Sequence, residues 1–335
     1  MKYMIAGFGS IGRRHFRNLI ALGERDILLY RTNMSTIPNE EIMGCPVETD
    51  LQRALDHHPD AVIIANPTAC HLDVAIPAAQ AGCHIFLEKP VSNSIVGLDE
   101  LLNAQQYGGG QIFVGFQFRF HPGLCNIRSL LEEKVLGKLL SIRAHWGEYL
   151  PNWHPWEDYR QAYSARADLG GGVLLTLCHP FDYLRWLVGE VEALWAFSGR
   201  LGELELSVED TAEVGFRFRN GALGSLHLDY NQRPAQHDLD IIGTQGIIRW
   251  NYRDGEVRVF NADNHIPGWE TQIKPSGNEK LNYNRNDMFL DEMQHFIDVI
   301  HGYTPSRCTL DDGIQALRLA LAAHKSAREE QLVYL

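Results

Sequence analysis

The chain has 335 residues, 45% of them hydrophobic, and 30 basic against 42 acidic side chains give it a net charge of −12. That length exceeds one compact core and predicts two domains, while the acidic balance excludes the basic stripe of a nucleic-acid binder without excluding local positive charge in a pocket for an anionic substrate. No stretch is apolar for long enough to span a bilayer, and six cysteines without a C-x-x-C pair or regular spacing predict neither a disulfide framework nor a metal site, which suits a reducing, cytoplasmic location.

Residues 1–6 carry one basic residue and a short apolar run that meets a glycine turn at once, unlike a secretory signal. From there strand and helix signals alternate. Strands are expected at 3–6, 27–30, 61–65, 84–87 and 112–115. Helices are expected at 11–22, 51–57, 71–81 and 95–106, the first and third stopped by Gly23 and Gly82. Short buried strands separated by helices imply a parallel sheet covered on both faces. The character changes near Arg119. A helix at 122–133, a strand at 139–149 and one long amphipathic helix at 173–187 follow. Strands are then expected at 193–198, 211–218, 222–229, 238–242, 246–250 and 257–260, with Asn220-Gly221 and Asp254-Gly255 as hairpin turns. Helices at 287–300 and 310–330 close the chain. The predicted organisation is α/β: residues 1–118 as a nucleotide-binding domain, and 119–335 as an α+β domain with a large, open, mostly antiparallel sheet. The last helix is free in this scheme to pack back on the first domain.

Gly7-Phe8-Gly9-Ser10-Ile11-Gly12 is a G-x-G-x-x-G run set directly between a strand and a helix. The first glycine allows the tight turn, the second the close approach of a pyrophosphate, and the third tight helix–strand packing. The N–H groups of Ser10, Ile11 and Gly12 at the helix start then face the phosphates. This predicts NAD or NADP binding. The second strand ends in Arg31, Thr32 and Asn33 rather than in an acid that would bond the ribose 2′-hydroxyl. A guanidinium there favours the 2′-phosphate of NADP.

Glu88-Lys89-Pro90 puts a lysine at the carboxyl end of a strand, where ligands of parallel sheets sit. Its ammonium suits a developing alkoxide. Further motifs are Asn66-Pro67-Thr68 with His71, the run from Gly115 to Pro122 (GFQFRFHP), and Gly170-Gly171-Gly172 followed by Thr176, His179 and Asp182. In this order they resemble the glucose–fructose oxidoreductase/inositol dehydrogenase (Gfo/Idh/MocA) family over nearly the whole chain. The resemblance implies a Rossmann domain followed by a sheet domain. It implies a catalytic role for Lys89, a general acid/base role for His179, and cofactor contacts from Asn66, Pro67, His71, Glu88 and Lys89. It also implies a homodimer or homotetramer formed through the outer face of the sheet. Family members commonly carry an acid one turn before the histidine; here that place is Thr176, which can orient a hydroxyl but cannot carry charge.

Read from the residues, Thr176, His179 and Asp182 recur every third position and are expected on one face of one helix. Between residues 145 and 166, tryptophans and tyrosines, Tyr159 among them, interleave with Arg160 and Arg166, a composition suited to sugar faces and anionic groups. Arg119, Tyr159, Arg166 and Asp182 are the candidate substrate contacts. This stretch resembles a subgroup of nucleotide-sugar and nonulosonic-sugar pathways. The expected function is hydride transfer between a nicotinamide and a hydroxyl or keto carbon of a sugar or nucleotide sugar. The alternatives are an enzyme that returns the hydride during glycoside cleavage or epimerisation, and a non-catalytic NAD(P)-binding sensor.

Overall fold

The computed structural model describes residues 1–32, 44–262, 268–273 and 284–335, so Asn33 lies outside the described residues. The chain divides into two compact units, the first made of Met1–Gln117, Asp168–Gly170 and Asn286–Leu317, the second of Phe118–Ala167, Gly171–Arg285 and Arg318–Leu335.

Unit 1 begins β1 (Tyr3–Ala6), α1 (Ser10–Ala21), β2 (Ile27–Tyr30), β3 (Val47–Glu48), α2 (Leu51–Asp56), β4 (Ala61–Ile64), α3 (His71–Gln80), β5 (His84–Glu88), α4 (Leu98–Gly108) and β6 (Ile112–Gly115). The six strands are all parallel, in the order β3-β2-β1-β4-β5-β6. The direction of strand order reverses between β1 and β4, which makes their carboxyl ends a binding crevice. The four-residue runs of β1 and β4 are wholly buried, as strands covered on both faces must be. Asp50 caps α2 by accepting from the Arg53 N–H. α4 starts later than the periodicity predicts, because Gly97 precedes it at φ +86, and leaves Ile95 and Val96 exposed.

Unit 2 holds α5 (Pro122–Glu132), β7 (Leu139–Gly147), α6 (Val173–Thr176), α7 (His179–Val188), β8 (Val191–Gly199), β9 (Thr211–Phe218), β10 (Leu223–Asp229), β11 (Gln236–Gly243), β12 (Gly246–Asn251), β13 (Val257–Asn261) and β14 (Gly268–Ile273). α8 (Arg285–Ile300) and the start of α9 (Leu310–Glu329) fall almost wholly in unit 1; the rest of α9 and β15 (Val333–Tyr334) return to unit 2. The sheet runs β14-β13-β12-β11-β7-β10-β9-β8-β15. It is antiparallel except where β7 meets β10, because β7 and β10 are far apart in sequence and paired by a long crossover rather than a hairpin. Period-two alternation sorts its faces: Ala212, Val214, Phe216 and Phe218 of β9 are buried while Glu213 and Arg217 face outward.

The single helix expected over 173–187 is two helices, α6 and α7, broken at Leu177 and Cys178. Pro180 explains the break. It has no N–H to give to the Thr176 carbonyl, and its ring would collide with that oxygen in a continuous helix. A proline in the first turn of α7 costs nothing, since that N–H would be unsatisfied anyway.

Candidate active site

Strand register builds the unit 1 part of the site. Ala6 pairs with Tyr30 and with Ile64, and Ile64 pairs with Leu87. The next residues in each strand therefore form one row: Gly7, Arg31, Ala65 and Glu88, with Asn66 and Lys89 just beyond. Hydrogen bonds from Gly7 N–H to the Tyr30 carbonyl (3.1 Å) and from Ala65 N–H to the Ala6 carbonyl (2.8 Å) hold it.

The glycine loop fits a dinucleotide. Gly7 lies at φ +91, and a Cβ there would sit 2.6 Å from the Asn66 nitrogen. A Cβ on Gly12 would meet the Gly7 carbonyl at 2.2 Å, so only glycine lets α1 lie this close to the loop. A Cβ on Gly9 would have nothing within 4 Å, which leaves room for the group the loop approaches. Gly9 at the N-cap of α1 makes no side-chain cap, an arrangement in which the first N–H groups of the helix suit an anion. Asn66 donates its amide to the Cys70 carbonyl at 2.9 Å, while its buried Oδ1 has no hydrogen-bond partner among the described residues. Such an acceptor suits a ribose or carboxamide donor. Arg13 and Arg31 are both buried and flank the Phe8 ring at 5.4 Å and 5.6 Å. Thr32 is exposed at the end of the strand.

Glu88 is buried, with Oε1 2.6 Å from His15 Nε2 on α1. Burial pushes its carboxyl up, but the His15 hydrogen bond and the charges of His15, Lys89 and His71 outweigh it and hold the pKa below the usual carboxylate range. His15 escaped the sequence reading; its only signal is a polar residue on the buried face of α1, one turn from Gly12 and Leu19. Lys89 is half-buried, and the bond to Pro90 is cis. His71 opens α3 four residues after Pro67 and is fully buried, with Nδ1 2.8 Å from the Pro90 carbonyl and Nε2 3.1 Å from the Asn66 carbonyl. It ties the Asn66 turn to the turn carrying Lys89, and burial lowers its pKa.

The two glycines of the run that belong to unit 2 do separate jobs. Gly171 has no room for a Cβ, with the Tyr163 carbonyl 2.3 Å away, and Gly172 lies at φ +105 with Glu209 Oε1 2.5 Å from the same point. Glu209 accepts from the Leu174 N–H at 3.1 Å and so caps α6 from a distant loop. Burial raises its pKa, partly offset by His324. No local pattern marks Glu209, since it follows Leu174 by thirty-five residues.

Thr176 ends α6 and His179 begins α7, so the expected single helical face does not exist. Thr176 is buried. His179 is 2% exposed, its ring edge-on to Phe118 at 5.0 Å and stacked on Trp146 at 5.7 Å. Trp146 also stacks on His237 at 4.5 Å, and His237 Nε2 lies 3.1 Å from the Tyr183 hydroxyl. Arg119 and Asp182 are joined to each other through two hydrogen bonds, Nε–Oδ2 at 3.0 Å and an N–H of the second arm to Oδ1 at 2.6 Å, both side chains buried. Tyr159 and Arg166 lie on the loop before the glycines. The Tyr159 hydroxyl accepts from the Glu205 N–H at 3.2 Å, and exposed Arg166 receives the Gly171 N–H on its carbonyl at 2.9 Å. Lys89 and the cofactor row thus belong to unit 1, and Thr176, His179, Arg119, Tyr159, Arg166 and Asp182 to unit 2.

Among the described residues no helix is long and apolar enough to cross a membrane, and no cysteine is joined in a disulfide. The myo-inositol 2-dehydrogenase of Thermotoga maritima is 27% identical over 358 residues, spanning 100% of this chain and 98% of that protein. The uncharacterized oxidoreductase YrbE of Bacillus subtilis is 31% identical over 338 residues, 96% and 93% of the two chains. The fold matches that of levoglucosan dehydrogenase in complex with NADH at a TM-score of 0.87 and 23% identity, over 100% of this chain and 98% of that one. It matches the WlbA dehydrogenase of Bordetella pertussis in complex with NADH and UDP-GlcNAcA at 0.81 and 23%, with the same coverage. Residues 1–116 match the oxidoreductase family's NAD-binding Rossmann fold and residues 128–335 its C-terminal alpha/beta domain. The chain therefore belongs to the Gfo/Idh/MocA oxidoreductase family, and it is an NAD-binding oxidoreductase with sugar dehydrogenases among its relatives.

Proposed function

We propose that this oxidoreductase works between a nicotinamide dinucleotide, NADP in preference to NAD, and a hydroxyl- or keto-bearing carbon of a sugar or nucleotide sugar. The observation that carries the reading is the row of strand ends in unit 1, where the glycine loop, Asn66 and Glu88-Lys89 lie side by side. When bound, the nicotinamide ring supplies the two-electron acceptor or donor. Lys89 donates a hydrogen bond to the reacting oxygen and favours its alkoxide-like form. Glu88, held by His15, keeps a negative charge beside that ammonium and fixes the turn. His179 takes the hydroxyl proton in oxidation and returns it in reduction. Thr176 orients without transferring a proton. Tyr159 and Arg166 meet the sugar, and the Arg119–Asp182 pair fixes α7 beneath His179. The arginines beside Phe8, Arg31 above all, support the NADP preference. The free cysteines suit a reducing, cytoplasmic location, and exposed Trp195 and Phe197 on the outer face of the sheet suit a homodimer or homotetramer.

The test is nicotinamide absorbance with NADP and NAD against free, phosphorylated and nucleotide-linked sugars, using the wild type, Lys89→Ala and Arg31→Ala. Lys89→Ala should lose about 100-fold or more in kcat, and Arg31→Ala about tenfold in NADP over NAD preference. Bound cofactor with no turnover across the panel refutes the dehydrogenase reading; products formed without net nicotinamide change point to hydride return.

A further inference from the structure

A second constellation lies on the outer face of the unit 2 sheet and has no part in the reading above. His145 on β7 and His227 on β10 are partners across the parallel pair, and Glu213 on β9 opposes His227. Asp229 is two residues beyond His227, so strand alternation puts it on the same face. The imidazoles stack at 4.5 Å with 24° between their planes. Asp229 Oδ2 lies 3.0 Å from His227 Nε2, and Glu213 Oε1 lies 2.6 Å from His227 Nδ1. One ring nitrogen of each histidine and one oxygen of Asp229 all fall within 4.8 Å of one another.

We propose that His145, His227 and Asp229 bind a divalent transition-metal ion of the zinc class, with Glu213 orienting His227 from behind. Two imidazoles and a carboxylate are the donors such ions take. In a tetrahedral zinc site the ligand atoms stand about 3.4 Å apart, so the His227–Asp229 spacing already fits and His145 needs a small ring movement. Both ring nitrogens of His227 face carboxylate oxygens, Glu213 at Nδ1 and Asp229 at Nε2. A carboxylate behind a ligating histidine is the usual outer support of a metal site. Gly147 is part of the device: a Cβ there would lie 2.2 Å from Asp229 Oδ2 and 2.1 Å from the Gln232 oxygen. That Gln232 oxygen lies 2.5 Å from His145 Nε2 and holds the ring.

The test uses the full chain, treated with chelator and then titrated with Zn2+ by calorimetry and with Co2+ by visible absorption. One equivalent per chain should bind with a four-coordinate cobalt spectrum. His227→Gln and His145→Ala should each weaken binding about 100-fold or more, and Glu213→Gln about 10- to 100-fold. Melting curves of the metal-free variants establish that each is folded. Stoichiometric binding that survives the His145→Ala/His227→Gln pair overturns the proposal. So does an absence of binding to the wild type, which would leave His227 as an imidazolium shared by two carboxylates.

Discussion

Acid should weaken unit 2 through His121, and by a calculable amount. The ring is 1% exposed, and its Nδ1 accepts the Gly123 N–H at 3.0 Å, which caps α5. Trp250 and Tyr252 enclose it at 5.1 Å and 5.6 Å. Burial pushes its pKa down to about 4 from the ordinary 6.5. Between those values the unfolded chain binds the proton and the folded chain does not, so stability falls as pH drops. One proton is worth about 1.4 kcal/mol per pH unit, and the whole window about 3 kcal/mol, fully lost below pH ~4. Burial also lowers His237 and His71, so the wild type alone cannot isolate the share of His121. His121→Asn can, because asparagine keeps the capping acceptor without a proton to gain. Urea unfolding of both proteins from pH 7 to pH 4.5 should give curves that diverge by about 1.4 kcal/mol per unit below pH ~6. The variant's packing cost shifts its curve but not its slope. Parallel curves would refute the argument.

Asp182→Ala leaves buried Arg119 without its carboxylate and should cost about 3–5 kcal/mol in thermal or urea unfolding. Arg119→Met/Asp182→Leu should recover most of that, and a KM defect at unchanged stability would assign the pair to substrate contact instead. Gly172→Ala meets both a φ of +105 with ψ 152 and the Glu209 carboxylate; about 1–3 kcal/mol of backbone strain should come with a fall in kcat, and unaltered kinetics would separate the start of α6 from catalysis. Light scattering should show a dimer or tetramer, weakened by Trp195→Glu with Phe197→Glu; a monomeric wild type would remove the case for assembly through this patch.

Much of the fold is legible because its signals are local. β1, β2, β6 and β9 fall where short apolar or alternating runs meet turn residues, and hairpin glycines such as Gly221, at φ +87, mark their own turns. β3, β14 and β15 escaped because a two-residue strand, or an edge strand such as Gly268–Ile273, exists by pairing with a neighbour rather than by its own pattern. The split between α6 and α7 was readable in Pro180, but the apolar periodicity runs across it and hides the break.

The sequence alone determined the glycine loop, the Glu88-Lys89 strand end and the family, since each rests on residues adjacent in the chain and on backbone rules that act over a few positions. Only the tertiary structure decided that His15 bonds Glu88, that Glu209 caps α6, that Arg119 and Asp182 hold each other, and that His145, His227 and Asp229 share one face. Apart from His227 and Asp229, which share β10, these partners come from separate strands, helices and loops. Which residue of one strand stands beside which of another is set by register and packing of the whole sheet, and no local pattern carries that information.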